Sequence, residues 1–435
     1  MVTPGGLGST SVDAIDLLSL PTRRCRALCR IPSDVESVTS VGEEVHPGVT
    51  GASLTGLSHI WNAIVALYRT GLHPAIQICI RSHGQTVFHR AIGHSHGNAP
   101  GSPPDAPRTP VSTATPFTLF SASKVVTAML IHKLDERRII HIDDHVCDYI
   151  PEFARKGKEW VSLRHLLCHR AGIPNLPPQA IDLDLLPHLD RVVEILCDLP
   201  LRWRPGRRLA YHAVTGGFIL GEVVQRATGQ DIRTVLAKEI LEPLGFRWMN
   251  YGVDPADISL VAENAFTGLP VLPPFSALMR NVLGTDFKNA VRLSNDPRFL
   301  SGPIPAANTV TNADELCAFF QCLLDGGSLN GVRVFDPRTI RHAATEQSYW
   351  ELDLTLGVPL RYGVGMMLGG WMGSLFGPDN PRAFGHLGFT NILAWADPER
   401  KLAVAFLNSG KPFINLGLLR LYNVLVQIAH AFPKQ

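Results

Sequence analysis

A serine and a lysine stand three residues apart in Ser121-Ala-Ser-Lys124, at the start of an apolar stretch. If residues 121–136 form a helix, the Lys124 amine can reach the Ser121 hydroxyl, because positions i and i+3 share one face. Burial in an apolar helix lowers the pKa of a lysine and lets it act as a general base. The pair therefore predicts a nucleophilic serine. The alternative is that Ser121 only caps the helix and Lys124 is solvated.

A second candidate group is Tyr211, which stands in Tyr211-His212-Ala213 just before the predicted helix 214–228. A tyrosine at the mouth of a helix and beside a lysine ammonium can ionise and shuttle a proton. Taken in isolation, Tyr211 is more typical of a core tyrosine whose hydroxyl has a hydrogen-bond partner.

The third candidate element is Gly385-His386-Leu387-Gly388-Phe389, directly before a predicted strand. A glycine on an edge strand allows a substrate to approach the backbone closely. The backbone N–H of Phe389 can then form an oxyanion hole together with the N–H of Ser121. His386 taken alone is more often a structural histidine.

The elements that must position these residues are strand-like at both ends of the chain and helical in the middle. Helices are predicted at 57–68, 121–136, 162–170, 189–198, 214–228, 232–241 and 413–431, and strands at 74–81, 86–92, 361–368, 383–387, 390–396 and 402–407. This order predicts an α+β fold in which both termini form the sheet domain and a mostly helical domain is inserted. We expect an N-terminal arm at 1–45, a discontinuous α/β domain of 46–120 and 305–435, and a helical domain at 121–304. Residues 266–307 are expected to form a long loop, such as a lid or binding wall, or to be partly helical.

Composition and motifs exclude several other functions. The 435 residues carry a net charge of +2, with 45% hydrophobic and 18% charged residues, so wholesale disorder and nucleic acid as the leading partner are disfavoured. No run approaches the ~20 apolar residues of a membrane span, and no leader pattern precedes the chain, so we expect a cytoplasmic protein. No nucleophile elbow, phosphate-binding loop, zinc-protease motif or dinucleotide-binding glycine motif occurs. The histidines at 83, 89, 94 and 96 lack partners with ligand spacing, so no metal site is expected.

The order and spacing of the three elements resemble the serine β-lactamase and penicillin-binding superfamily. The resemblance runs from about residue 57 to the C-terminus and is strongest for class C β-lactamases, D-alanyl-D-alanine carboxypeptidases and family VIII carboxylesterases. It includes residues 134–151, 161–174, 204–206 and 395–398. It implies an antiparallel sheet flanked by N- and C-terminal helices. It also implies that Ser121 is the nucleophile, Lys124 its partner, Tyr211 the tyrosine of the Y-x-N element and 386–388 the K-T-G or H-x-G element.

Departures from the family pattern decide the predicted subclass. Ala213 replaces the amide residue of the Y-x-N element, and His386-Leu387-Gly388 replaces Lys-Thr-Gly, which removes a fixed cation. Phe389 follows where β-lactamases usually carry a small polar residue. With no leader visible, these features favour an esterase similar to family VIII, acting on a small-molecule ester.

The resemblance implies acyl transfer without a metal or cofactor. Lys124 and Tyr211 activate Ser121, the N–H groups of Ser121 and Phe389 hold the oxyanion, and His386 and His212 support the site. Trp371 and Phe389, with residues 266–307, are expected to shape the substrate pocket. Three alternatives remain open: a β-lactamase or D-amino-acid amidase, an acyltransferase, and a catalytically silent binding protein. The sequence predicts no oligomeric state.

Overall fold

The computed structural model describes residues 27–176, 182–413 and 417–435. Its strands are β1 (Thr39–Val41), β2 (Ala75–Ser82), β3 (Gln85–His96), β4 (Thr109–Pro110), β5 (Phe117–Thr118), β6 (Asn250–Tyr251), β7 (Ala265–Thr267), β8 (Thr309–Thr311), β9 (Ser328–Leu329), β10 (Val332–Arg333), β11 (Ser348–Leu352), β12 (Pro359–Tyr362), β13 (Met367–Leu368), β14 (Phe384–Gly388), β15 (Ile392–Asp397), β16 (Leu402–Asn408) and β17 (Gly410–Pro412). Its α-helices are α1 (Leu54–Tyr68), α2 (Ser123–Glu136), α3 (Val146–Tyr149), α4 (Leu163–Leu167), α5 (Leu189–Asp198), α6 (Thr215–Thr228), α7 (Ile232–Leu236), α8 (Glu242–Leu244), α9 (Phe275–Leu283), α10 (Phe287–Leu293), α11 (Pro297–Ser301), α12 (Ala313–Leu324), α13 (Pro337–Ala343) and α14 (Gly417–Ala431).

The main sheet is built from both ends of the chain. Its strand order is β1-β3-β2-β16-β15-β14-β13-β12-β11, and β4 pairs with β3. Every pairing in it is antiparallel, including the β2–β16 pair that joins the N-terminal hairpin to the C-terminal strands. The predicted α+β fold with an antiparallel sheet is therefore confirmed.

Alternating side chains give the sheet two buried faces, because successive residues of a strand point to opposite sides. In β16, Val404 and Phe406 join the hydrophobic cluster that contains residues of α1 and α14. Their neighbours Ala403 and Ala405 join the other cluster, which includes α12 and α2. The flanking helices predicted at both ends of the chain thus cover one face, and the inserted helical region adjoins the other.

Caps set the ends of the helices nearest the sheet and the site. The Ser53 hydroxyl accepts from the Gly56 N–H at 2.9 Å at the start of α1. Gly229, with φ +72°, ends α6 in the left-handed region that glycine adopts without strain. At the start of α12, Asn312 Oδ1 accepts from the Glu315 N–H at 2.9 Å, a signal for a helix that the sequence patterns above do not include.

The structure corrects the expected secondary structure in three places. The strand predicted at 361–368 is two strands, β12 and β13, because a turn at 363–365 includes Gly365 with φ +93°. The segment 266–307 contains α9, α10 and α11 rather than a continuous loop, and Asp286 and Asp296 cap the last two. Within the predicted arm, residues 39–41 form the edge strand β1. Residues 1–26 of the arm lie outside the described residues, and the division into domains stays a prediction.

Candidate active site

Ser121 lies in a tight turn immediately before α2. Residues Phe120–Ala122 form a 3₁₀ turn that leads into the helix, and the Leu119 N–H donates to the Thr309 carbonyl at 2.8 Å. Phe120 has φ +50°, an uncommon conformation for a residue with a side chain. Strained backbone of this kind is often found at functional sites. The turn puts Ser121 at the N-terminal end of α2, where the helix dipole favours negative charge.

Lys124 directs its amine at Ser121 and at two main-chain carbonyls. Its Nζ lies 3.5 Å from Ser121 Oγ, 2.6 Å from the Ala213 oxygen and 3.0 Å from the Ala306 oxygen. Part of the side chain faces the cleft, but the protein surrounding the amine desolvates it and lowers its pKa to about 7. At neutral pH a substantial fraction of Lys124 is therefore uncharged and able to accept a proton.

Tyr211 packs beside the same lysine. Lys124 Nζ lies 4.8 Å from the centre of the tyrosine ring, and the rings of His169 and His386 have centroids 4.7 and 6.3 Å away. Burial raises the pKa of Tyr211 above its usual value, and a hydrogen bond with Ser121 counteracts part of that rise. Ser121, Lys124 and Tyr211 are thus brought together from two separate segments of the chain.

The end of β14 approaches the turn that carries Ser121. A Cβ added at Gly388 would lie 2.3 Å from the Leu119 oxygen, so only glycine allows this contact. Phe389 follows directly, and its ring centroid is 5.3 Å from that of Phe120. The backbones on either side of Ser121 and Phe389 are therefore adjacent, as an oxyanion hole requires.

His386 is a buried, neutral group in this site. Its Nδ1–H donates to the Leu387 carbonyl at 2.7 Å. Burial, aided by the nearby Lys124 amine, lowers the pKa of His386 to about 3. The position that carries a lysine in Lys-Thr-Gly enzymes thus holds an uncharged imidazole here.

His212 is turned toward the main chain. Its Nδ1–H donates to the Ala210 carbonyl at 2.7 Å, and its Nε2 accepts from the Ile173 N–H at 3.3 Å. Burial lowers its pKa to about 4, so the ring stays neutral. These bonds fix the segment whose next residue, Ala213, offers its carbonyl to Lys124, so His212 supports the site from behind.

Trp371 does not join the other candidate residues, which corrects the expectation that it shapes the pocket. It is 67% exposed, and the Lys434 amine lies 4.7 Å from its ring centre. Trp371 stands in the loop before β14, whereas Ser121 meets the other end of that strand, at Gly388. A strand rises ~3.3 Å per residue, so five-residue β14 separates the two ends by more than ~10 Å.

The sequence patterns did not identify Asp353 and His169 as parts of the site. Buried Asp353 accepts hydrogen bonds from the backbone N–H groups of Tyr211 and Thr355, both through Oδ1, at 3.0 and 2.9 Å. The His169 ring packs on Tyr211, and its Nδ1 accepts from the His212 N–H at 3.3 Å. Both residues orient Tyr211, and only their position in space reveals it.

A second network holds the turn that follows Phe389. Asn408 Nδ2 donates to the Asn391 carbonyl at 2.7 Å, and the Lys411 amine donates to the Asn408 carbonyl at 2.7 Å. Lys411 is fully buried, and its amine lies 4.8 Å from the centre of the Phe120 ring. The two backbone segments of the expected oxyanion hole are therefore tied to one buried lysine.

Among the described residues, no cluster of three or more histidine, cysteine, aspartate or glutamate side chains could hold a metal ion. None of the helices in the described ranges has the length and hydropathy needed to cross a bilayer.

This fold, with a serine, a lysine and a tyrosine converging at the end of an antiparallel sheet, is that of the serine β-lactamase and penicillin-binding hydrolases. A profile of the Beta-lactamase family matches residues 63–427, and the chain belongs to that family. The family membership predicted from the sequence is confirmed.

Known relatives include both esterases and penicillin-binding proteins. The chain is 28% identical over 333 residues to the esterase/beta-lactamase LipL of Mycobacterium tuberculosis, which covers 72% of this chain and 74% of the relative. It is similar to a family VIII carboxylesterase of known structure, with a TM-score of 0.73, 25% identity and coverage of 86% and 98%. A penicillin-binding protein homologue from Caulobacter crescentus has the same fold, with a TM-score of 0.74, 24% identity and coverage of 88% and 99%. The two esterase relatives support ester hydrolysis in broad terms.

Proposed function

We propose that this protein is a serine carboxylesterase that cleaves small-molecule esters through an acyl-enzyme on Ser121. The observation that carries the proposal is the placement of the Lys124 amine, 3.5 Å from Ser121 Oγ and with its pKa lowered to about 7. A lysine in this state can remove a proton from a serine hydroxyl near neutral pH. The two esterase relatives support the same reaction type.

In the proposed acylation, Lys124 takes the Ser121 proton while Oγ attacks the ester carbonyl carbon. The carbonyl electron pair moves to oxygen, and the backbone N–H groups of Ser121 and Phe389 donate to that oxyanion. When the C–O bond breaks, Tyr211 gives the leaving alcohol its proton and is reprotonated by Lys124.

The proposed deacylation reverses these roles. Tyr211 takes a proton from water as it passes its own proton to neutral Lys124, and the resulting hydroxide attacks the acyl carbon. When the bond between that carbon and Ser121 Oγ breaks, the Lys124 ammonium gives its proton to Oγ and the acid departs. Asp353 holds the backbone N–H of Tyr211 and the His169 ring packs on the Tyr211 ring, so both keep Tyr211 in place. Each proton thus moves between named groups of the protein, the substrate and water.

Ester rather than amide substrates are favoured by two positions. Ala213 offers Lys124 only a main-chain carbonyl, and its methyl side chain cannot pair with a substrate amide. His386 is neutral, because its pKa is lowered to about 3, so it cannot act as the cation that binds a substrate carboxylate. A site without these groups has no contact that favours an amide substrate with a carboxylate over an ester.

The test is hydrolysis of p-nitrophenyl acetate by the wild type and by Ser121→Ala, with a chromogenic cephalosporin in parallel. We expect ester turnover that Ser121→Ala abolishes, and little cephalosporin turnover. Ser123→Ala is the matched control, since Ser123 Oγ accepts from the Thr309 N–H at 2.9 Å on a buried side of the same segment. Activity retained in Ser121→Ala but lost in Ser123→Ala would refute the assignment of the nucleophile.

The same assay separates the alternatives. Faster cephalosporin than ester turnover would make the protein a β-lactamase. Formation of butyl acetate when 1-butanol is added, at the expense of acetate release, would make it an acyltransferase.

A further inference from the structure

A row of phenylalanine rings runs from the nucleophile toward the surface. Phe120, which directly precedes Ser121, lies 5.3 Å from Phe389 between ring centroids. Phe389 lies 4.8 Å from Phe287, Phe287 lies 5.5 Å from Phe413, and Phe413 lies 5.8 Å from Phe275. Each separation is that of rings in contact. The row joins the 3₁₀ turn, α10 and α9 with the residues that directly follow β14 and β17.

The most exposed ring of this row is at its outer end. Phe120 and Phe287 are 7% and 4% exposed and form its buried base. Phe389 and Phe413 are half-buried, and Phe275 is 48% exposed. Leu272, next to α9, is 68% exposed. An apolar surface that is continuous with a reactive serine is suited to an apolar part of the substrate.

The chemistry of the row also defines what it can bind. Its members contribute only aromatic rings, and the Lys411 amine that contacts Phe120 donates to the main-chain and side-chain oxygens of Asn408, at 2.7 and 3.4 Å. Such a surface binds hydrocarbon. Because the Lys411 amine is already hydrogen-bonded, it does not attract a negatively charged chain at this contact.

The two sides of Ser121 differ, which assigns the row to one part of the ester. Tyr211, which protonates the leaving alcohol in the proposed mechanism, has the imidazole rings of His169 and His386 as its ring neighbours, with centroids 4.7 and 6.3 Å away. The rings that contact Phe120 belong to phenylalanines, Phe389 among them.

We infer that the phenylalanine row is the acyl-chain site, and that the protein prefers esters of medium- or long-chain aliphatic acids. This inference rests on the proposed esterase function. Each CH₂ group that is fully buried contributes about fourfold to binding. Two or more buried CH₂ groups would therefore raise kcat/KM for an octanoate over an acetate by at least about tenfold.

The experiment compares p-nitrophenyl acetate and p-nitrophenyl octanoate for the wild type, Phe413→Ala and Phe275→Ala. We expect the octanoate-to-acetate ratio of kcat/KM to exceed about ten in the wild type and to fall at least about fivefold in Phe413→Ala. Exposed Phe275 can be removed without a cavity, so Phe275→Ala keeps the test valid if Phe413→Ala misfolds, and its ratio should fall about twofold or more. The matched control is Val332→Ala, which should keep the wild-type ratio. Val332 is 42% exposed and lies in the β9–β10 hairpin.

Two results would overturn the inference. One is an octanoate-to-acetate ratio that shows no acyl-chain site, either because it is one or less in the wild type or because neither phenylalanine variant lowers it. The other is an effect of the variants confined to the alcohol, measured with ethyl and octyl acetate as a second series.

A binding measurement separates this inference from the esterase proposal. Calorimetric titration of Ser121→Ala with methyl octanoate and methyl acetate requires no turnover. Tighter binding of the octanoate, weakened by Phe413→Ala in the same background, supports the acyl-chain site even if hydrolysis fails. Equal binding of the two esters refutes it even if the enzyme hydrolyses acetate.

Discussion

The lowered pKa of Lys124 predicts how the reaction depends on pH. Burial lowers that pKa from the usual 10.5 to about 7. The free energy of the charged amine relative to the neutral amine thus rises by at most roughly 5 kcal/mol, an upper limit because part of the side chain faces the cleft. The neutral amine is the base, so activity must rise as pH increases through the pKa. About one tenth of Lys124 is neutral at pH 6 and about nine tenths at pH 8. We therefore expect kcat/KM to rise about tenfold between pH 6 and a plateau above pH 8.

The assay is the pH profile of kcat/KM for an ester, with the rate in the presence of Ser121→Ala subtracted at each pH. His386→Gln is the control, because a histidine of ordinary pKa would produce a similar rise near pH 6.5. The His386 pKa is already lowered to about 3, so its replacement should leave the midpoint within about one pH unit. Activity that increases tenfold per pH unit up to pH 10 would refute the lowered pKa. Loss of the rise in His386→Gln would make the histidine the base.

Three further predictions test other contacts. Tyr211→Phe should lower kcat/KM about 100-fold or more for an ethyl ester but less for a p-nitrophenyl ester, whose leaving group needs no proton; equal losses would exclude Tyr211 as the acid. Gly388→Ala would place a Cβ 2.3 Å from the Leu119 oxygen. We expect kcat to fall about 100-fold, because the Phe389 N–H would shift out of the expected oxyanion hole. Full activity would contradict the close approach. Lys158→Met removes the amine that donates to three main-chain carbonyls. The free energy of unfolding, measured in urea, should therefore fall by about 3 kcal/mol or more. Unchanged stability would show that water replaces the amine.

Local sequence patterns predicted much of the fold, because they depend on side-chain periodicity and caps. The strands 402–407 and 390–396 and the helices 189–198 and 214–228 agree with β16, β15, α5 and α6 within one or two residues. Short elements were harder to predict. Helices α9 to α11 have at most nine residues each, and too few turns to give a clear apolar period.

The sequence by itself determined the family, the α+β class and the candidates Ser121, Lys124 and Tyr211, because motif spacing is a property of the chain. Only the tertiary structure decided which residues surround them. Asp353 reaches Tyr211 from 142 positions along the chain, and Trp371 lies at the wrong end of β14. The physical reason is that pairing and packing between distant segments, rather than local propensity, set the desolvation that lowers the Lys124 pKa and the contacts that fix its partners.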